Sequence, residues 1–380
     1  MSVLRLAVIG GGNIGQQHIA KLHAGDIKNT ELVATCSRST IPVIEQLPHF
    51  GNHQDLINSG IADAVLVATP TANHLAQGLD VLNAGLHLLM EKPLAMSTLQ
   101  AKQLLAAAQP KQCFAVMLNQ RFHPAYKTIK SILDTNKLGQ LVRYSWTMTT
   151  WYRPNVYYDV STWRGTWPGE GGGLLINQCI HNIDALQWLV GLPSRVMADV
   201  KLGKFHNINV EDEVTAVLSH ENGMTGTFVA SSGEAPGFNQ LQIVGDLGTL
   251  TFNGEDIALH TTTTPVSHHC KTTNQMFSQP QFSTELVDVV EEQDDQHIAV
   301  LQNFRDAICD DAPLLTPATQ GVASIELANA MMLSGLMQKP VPLPLDAQTY
   351  ETTLQSKIDS HTLRQAKDIE VDINMEDSYR

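Results

Sequence analysis

The stretch Leu4-Arg5-Leu6-Ala7-Val8-Ile9-Gly10-Gly11-Gly12-Asn13-Ile14-Gly15 decides the fold. Leu4 to Ile9 is an apolar run broken only by Arg5, the pattern of a strand buried on both faces of a parallel sheet. The glycines that follow permit a tight turn and a close backbone approach to a pyrophosphate, which sits on the N-terminus of the next helix. Gly10, Gly12 and Gly15 have the G-x-G-x-x-G spacing, and Asn13 and Ile14 open the helical pattern NIGQQHIAKLHA. A glycine turn alone is common and can be purely structural. Here strand, turn and helix stand in the order that dinucleotide binding requires.

Working outward, strand and helix patterns alternate through about the first 120 residues. Strands are expected at Glu31 to Cys36, Ala62 to Pro70, His87 to Pro93 and Cys113 to Arg121, with helical stretches near Pro42 to Leu47 and from Thr71 to Ala84. Repeated units of this length imply a parallel sheet with right-handed crossovers. Residues 1–121 therefore read as a doubly wound α/β Rossmann domain. After about Gly139 the pattern changes. LVRYSWTMTTW alternates like a strand, GGGLLINQCIHNIDALQWLVG reads as one helix, and EVTAVLSH and MTGTFVAS flank Glu221-Asn222-Gly223, a hairpin signal. Residues 122–345 are expected to form an α+β domain with a mostly antiparallel sheet. Thr261 to Gln281 reads as a loop or excursion. Helices near 294–309 and 317–337 can return to either domain, and 346–380 reads as a polar tail.

Composition narrows the partners. A 380-residue chain that is 43% hydrophobic is long enough for two domains. Its 24 basic and 38 acidic side chains give a net charge of -14, against nucleic-acid binding, which needs clustered Lys and Arg. No stretch approaches the ~20 apolar residues of a membrane span, and the first apolar run is too short for a signal peptide. Five scattered cysteines without metal-type or redox-type pairs read as reduced thiols in a cytoplasmic protein, with no metal site.

Several residues carry candidate chemistry. The second strand ends in Cys36-Ser37-Arg38-Ser39-Thr40, with no acid to hold a ribose 2′-hydroxyl. Ser37 and Arg38 can instead meet a 2′-phosphate, so NADP is preferred, with NAD as the alternative; a solvated loop arginine is the plain reading. Glu91-Lys92-Pro93 lies at the C-terminal end of a strand, where open parallel sheets bind ligands. A partly desolvated lysine there can exchange a proton with a hydroxyl, although most lysines are simply exposed. Asn177 and His181 are four residues apart and would share a helix face, with Asp184 extending the stripe. Gly171-Gly172-Gly173 before them lets backbone approach a neighbour or a ligand. Trp151, Tyr152, Arg153, Tyr157, Tyr158, Trp163, Arg164 and Trp167 form an aromatic and basic group suited to sugar rings, or to core or interface.

GGGNIG, EKP, Asn119 to Tyr126 (NQRFHPAY) and GGGLLINQCIHNID together resemble the glucose–fructose oxidoreductase, inositol dehydrogenase and rhizopine catabolism family, Gfo/Idh/MocA, over about residues 3 to 340. The resemblance implies a nicotinamide between two domains, with Lys92 and His181 beside the reacting carbon. It implies cofactor contacts from Thr69, Pro70, Asn73 and His74 and from Trp163 and Arg164, and a large open sheet used in a homodimer or homotetramer. Many members carry Asp where this chain has Asn177, so more of the proton work falls to Lys92 or His181. The expected activity is an NADP- or NAD-dependent sugar or cyclitol dehydrogenase. Asn177 would orient the substrate, with Arg121, Arg153, Tyr152 and Trp163 binding hydroxyls or an anionic group. The competing readings are an NAD-dependent glycosidase that oxidises its sugar transiently and a sugar-sensing regulator that does not catalyse.

Overall fold

A computed structural model describes residues 3–38, 44, 46–289, 295–362, 366–367 and 369. Six strands build the first sheet: β1 (Leu4–Ile9), β2 (Thr30–Cys36), β3 (His49–Phe50), β4 (Ala64–Val67), β5 (His87–Met90) and β6 (Phe114–Val116). Their order is β3-β2-β1-β4-β5-β6, and every pairing is parallel. The chain reverses direction across the sheet between β1 and β4, which opens a crevice beyond their C-terminal ends. β4 and all of β1 except Arg5 are buried, which explains their uninterrupted apolar runs. Pro42, Val43 and Glu45 of the helix expected near Pro42 to Leu47 lie outside the described residues, and Gln46 is in a turn.

The second sheet has nine strands: β7 (Leu141–Met148), β8 (Arg195–Leu202), β9 (Glu211–Ser219), β10 (Thr225–Ser231), β11 (Asn239–Gly245), β12 (Gly248–Phe252), β13 (Ile257–Thr262), β14 (Phe282–Val287) and β15 (Val341–Pro342). Their order is β14-β13-β12-β11-β7-β10-β9-β8-β15, antiparallel throughout except for β10 on β7. The Asn222-Gly223 turn joins β9 to β10 as a hairpin, with Gly223 at φ 85°. Alternation along β9 and β10 buries Val214, Ala216, Leu218, Phe228 and Ala230 on one face. The excursion after β13 contains a short helix, Val266–Thr272, before β14 closes the sheet edge.

Both late helices tie the domains together. Gln296–Cys309 returns to the first domain, where Val300, Leu301 and Phe304 pack with Leu4, Leu6, Val8 and Met117. Ala318–Met337 lies between β8 and the helices Ile180–Val190 and Thr98–Ala107. Its Asn329 Oδ1 accepts both the Thr98 N–H (2.7 Å) and hydroxyl (2.9 Å). The expected polar tail needs correction: Ala347–Asp359 is a helix whose Asp346 side chain caps the N–H groups of Gln348 and Thr349. It buries only Tyr350 and Leu354, so little apolar periodicity marks it in the sequence. No helix among the described residues is long and apolar enough to cross a membrane, and all five cysteines are free.

Candidate active site

The glycine turn is built as its spacing requires. Gly10 has φ +129°, and a Cβ there would lie 2.2 Å from the Ala68 carbonyl oxygen, so no other residue fits against β4. Gly12 is the N-cap of the helix Asn13–Ala24, with no side-chain cap and no acid in the first turn. The space in front of Gly12 is open, and Gly12 and Asn13 are exposed. A helix N-terminus facing open space beside the sheet crevice fits a pyrophosphate. Ile14 is half-buried, Ser37 joins β3 through its N–H to Phe50 O (3.0 Å), and Arg38 is exposed. Ser39 and Thr40 lie outside the described residues.

On the far side of the crevice Thr69 and Pro70 lead into a single helical turn at Thr71–Asn73. Asn73 is half-buried and Pro70 exposed. The buried His74 ring lies between the carbonyl oxygens of Pro93 (2.8 Å) and Thr69 (2.9 Å). Burial pushes its pKa down, and a neutral ring has one N–H to give. His74 thus braces the turn against the Glu91-Lys92-Pro93 segment from behind.

Lys92 follows β5 and reaches the second domain. Its Nζ donates to the Asn177 carbonyl at 3.1 Å and lies 3.5 Å from Asn177 Oδ1. Burial pushes the Lys92 pKa down; Glu91 and Glu170 push it up, and Arg153 and Arg164 push it down again. Glu91 is buried, with Oε1 2.7 Å from His18 Nε2 and Oε2 accepting the Lys92 N–H at 2.9 Å. Burial alone would raise the Glu91 carboxyl, but the hydrogen bond and charge of His18, with His297 and Lys92, bring it to about 2. His181 is buried, and its Nδ1 has no hydrogen-bond partner among the described residues. Burial first, and then the charge on Lys92, hold its pKa well below the ordinary range, so the ring is neutral.

Two sequence expectations change. The expected single helix begins only at Ile180, so Asn177 sits in the preceding turn rather than on a shared helix face with His181. The cause is Glu211 of β9, whose carboxylate accepts the N–H groups of Gly173 and Leu175, both at 2.8 Å. The triple glycine also serves protein contacts. A Cβ on Gly173 would lie 2.4 Å from Glu211 O, and one on Gly171 would lie 2.6 Å from Met96 Cβ. Arg121 is not brought to the site. It is buried and gives two parallel 2.7 Å bonds to Asp184, with further bonds to Leu315 O and Gln320 Oε1. Four of its five N–H donors are thus taken by protein groups.

The aromatic and basic segment does reach the site. The Arg164 guanidinium lies 4.5 Å from the Tyr157 ring and 5.1 Å from that of Trp163, and the Arg153 guanidinium lies 5.5 Å from the same Tyr157 ring. Tyr152 is exposed, and its carbonyl accepts from Arg153 at 2.8 Å. Tyr157, one of the aromatic group read from the sequence, belongs to the arrangement, and so do Glu170 and His18, which sequence reasoning did not single out. Of these two only Glu170 had a usable signal, an acid directly before the glycine run. Its Oε1 accepts from Asn177 Nδ2, and its Oε2 accepts the Gly165 N–H at 2.6 Å.

Comparison with known proteins agrees with this architecture. Residues 4–120 match the oxidoreductase family described by its NAD-binding Rossmann fold, and residues 126–251 match the GFO/IDH/MocA C-terminal domain. The WlbA dehydrogenase from Bordetella pertussis, crystallised with NADH and UDP-GlcNAcA, superposes with a TM-score of 0.75 at 25% identity, over 90% of this chain and 100% of that one. The scyllo-inositol 2-dehydrogenase (NADP(+)) IolU of Bacillus subtilis is 27% identical over 227 residues, 58% of this chain and 67% of its own. Oxidoreductase P35 of Formosa agariphila is 25% identical over 260 residues, 64% of this chain and 79% of its own.

Proposed function

The chain belongs to the Gfo/Idh/MocA oxidoreductase family, and from that premise we propose that it transfers hydride between NAD(P) and a hydroxyl-bearing carbon of a sugar, sugar derivative or cyclitol. The observation that carries this reading is the meeting of Lys92 with Asn177 across the two domains. A nicotinamide, when bound, supplies the hydride acceptor or donor. The glycine turn and the Thr69-Pro70-Asn73 turn are the parts that would hold the dinucleotide, with Arg164 and Trp163 on the second-domain side.

The chain's own residues handle the proton. Burial favours the neutral Lys92 amine, which can accept a hydroxyl proton in the oxidising direction. The ammonium that results has the Asn177 carbonyl, 3.1 Å away, as its acceptor. Neutral His181 offers a ring nitrogen with no partner among the described residues, suited to a second substrate hydroxyl. The Tyr157, Trp163 and Arg164 stack forms an apolar wall with a cationic edge, on which a sugar ring can lie.

Ser37 and Arg38 in place of an acid support NADP over NAD. Assembly as a homodimer or homotetramer is assigned to the outer face of the second sheet, where Met197 pairs with Val217 and both are exposed. Sugars, nucleotide sugars and inositols supplied with NAD or NADP test the activity. The reading expects net cofactor reduction with at least one of them. Sugar cleavage without net reduction would replace it with the glycosidase reading, and binding without any reaction with the sensor reading.

A further inference from the structure

The group that receives Lys92 on the second domain is an amide, and an amide cannot ionise. A partly buried ammonium is ordinarily paired with a carboxylate, because an uncompensated charge is costly away from water. Behind Asn177 stands such a carboxylate. Glu170 is 3% exposed and closes the short helix Trp167–Glu170, which Thr166 caps through the Gly169 N–H at 3.1 Å. Its two oxygens are divided between the Gly165 N–H and Asn177 Nδ2.

That division sets the amide's orientation. With Nδ2 given to Glu170, the end of Asn177 left toward Lys92 is the acceptor Oδ1. The flipped amide would put Oδ1 against a carboxylate oxygen and Nδ2 against the Lys92 ammonium, losing both contacts. We propose that Glu170 is the positioning carboxylate of this site: it locks Asn177 with Oδ1 toward Lys92 and supplies the negative charge that Asn177 lacks, so that Lys92 can hold the proton it receives. This rests on the role proposed for Lys92 above.

The groups around Glu170 are Arg164 on its own loop, Tyr157 and Tyr158 from the helix Asn155–Asp159, Lys92 beyond β5, Asn177, and Glu211 of β9. Burial raises the Glu170 carboxyl, and the Gly165 N–H, Arg164, Asn177 and Lys92 limit the rise to about 7. Its charge on Lys92 is therefore present above neutral pH and fades below it.

The test reads Lys92 without turnover. Lys92 in the full chain is acetylated with acetic anhydride across a pH series, and the modified fraction of its peptide is measured by mass spectrometry. Removing a neighbouring negative charge disfavours the ammonium, so Glu170→Gln should move the labelling midpoint down by about one pH unit. Glu170→Asp, which keeps the charge, should move it less. An unshifted midpoint in a folded Glu170→Gln protein, or equal shifts in the two variants, overturns the proposal. If Glu170→Gln does not fold, Asn177→Ala reads the same link, because it removes the Oδ1 acceptor: a lower midpoint supports it and an unchanged one overturns it. A shifted midpoint in a protein that reduces no cofactor with any sugar would remove the hydride-transfer reading and leave the Glu170 link standing.

Discussion

Lys92 and Arg121 make an instructive pair. Each follows a strand of the parallel sheet, β5 and β6, and each crosses to the second domain. Arg121 meets a carboxylate, Asp184, in two parallel bonds, and Asp184 is further held by Ser324 at 2.8 Å and Gln187 at 3.1 Å. Both partners of that pair are buried. Lys92 meets an amide and a carbonyl, stays partly exposed, and is pushed toward its neutral form. A saturated cation is a clamp between domains. A cation with no carboxylate in direct contact is available for proton transfer.

Variants should separate the two. Lys92→Ala should cut turnover by roughly 10²–10⁴-fold, the range for a general acid–base group, while NAD(P)H titration shows little change in affinity. Near-normal turnover would exclude Lys92 from the proton transfer. Arg121→Ala should act on stability instead. It leaves Asp184 buried without its cation and should cost about 3–5 kcal/mol in denaturant unfolding. If it folds normally and raises KM, Arg121 binds substrate after all.

A third variant sharpens the contrast through pH. Burial raises the Glu211 carboxyl from its ordinary value to about 7, against the N–H groups of Leu175 and Gly173. The folded state then holds a proton that the unfolded state releases, so stability falls as pH rises from about 4.5 to 7. The stability lost between those limits is on the order of 3 kcal/mol, and Glu211→Gln should flatten that part of the stability profile. A profile unchanged by the substitution would show that Glu211 titrates normally. The smallest effect belongs to the cofactor. Arg38→Ala should remove most of the NADPH preference, a loss of about 1.5–3 kcal/mol in binding. Tighter NADH than NADPH binding by the unsubstituted protein would contradict the assignment.

The parts legible in the sequence are those fixed by local periodicity or by glycine geometry. The run from Leu4 to Gly15 determines a strand, a turn and a helix within a dozen residues, and the Asn222-Gly223 hairpin is equally local. The site is less legible because its partners are distant. Arg121 and Asp184 are 63 residues apart and Lys92 and Asn177 are 85 apart, and nothing in the sequence tells which arginine finds a carboxylate. The residues Leu174 to Cys179 have helical apolar spacing, yet Glu211 takes the local N–H groups and holds a turn there. Tertiary contacts overrode local pattern at the place where Asn177 is presented to Lys92.

The most direct measurement uses a substrate found by cofactor reduction and deuterated at its reacting carbon. After incubation with oxidised cofactor, one deuterium is expected in the reduced nicotinamide by mass spectrometry, at a rate that collapses in Lys92→Ala. Deuterium retained by the sugar or lost to water, with the cofactor unlabelled, would contradict it.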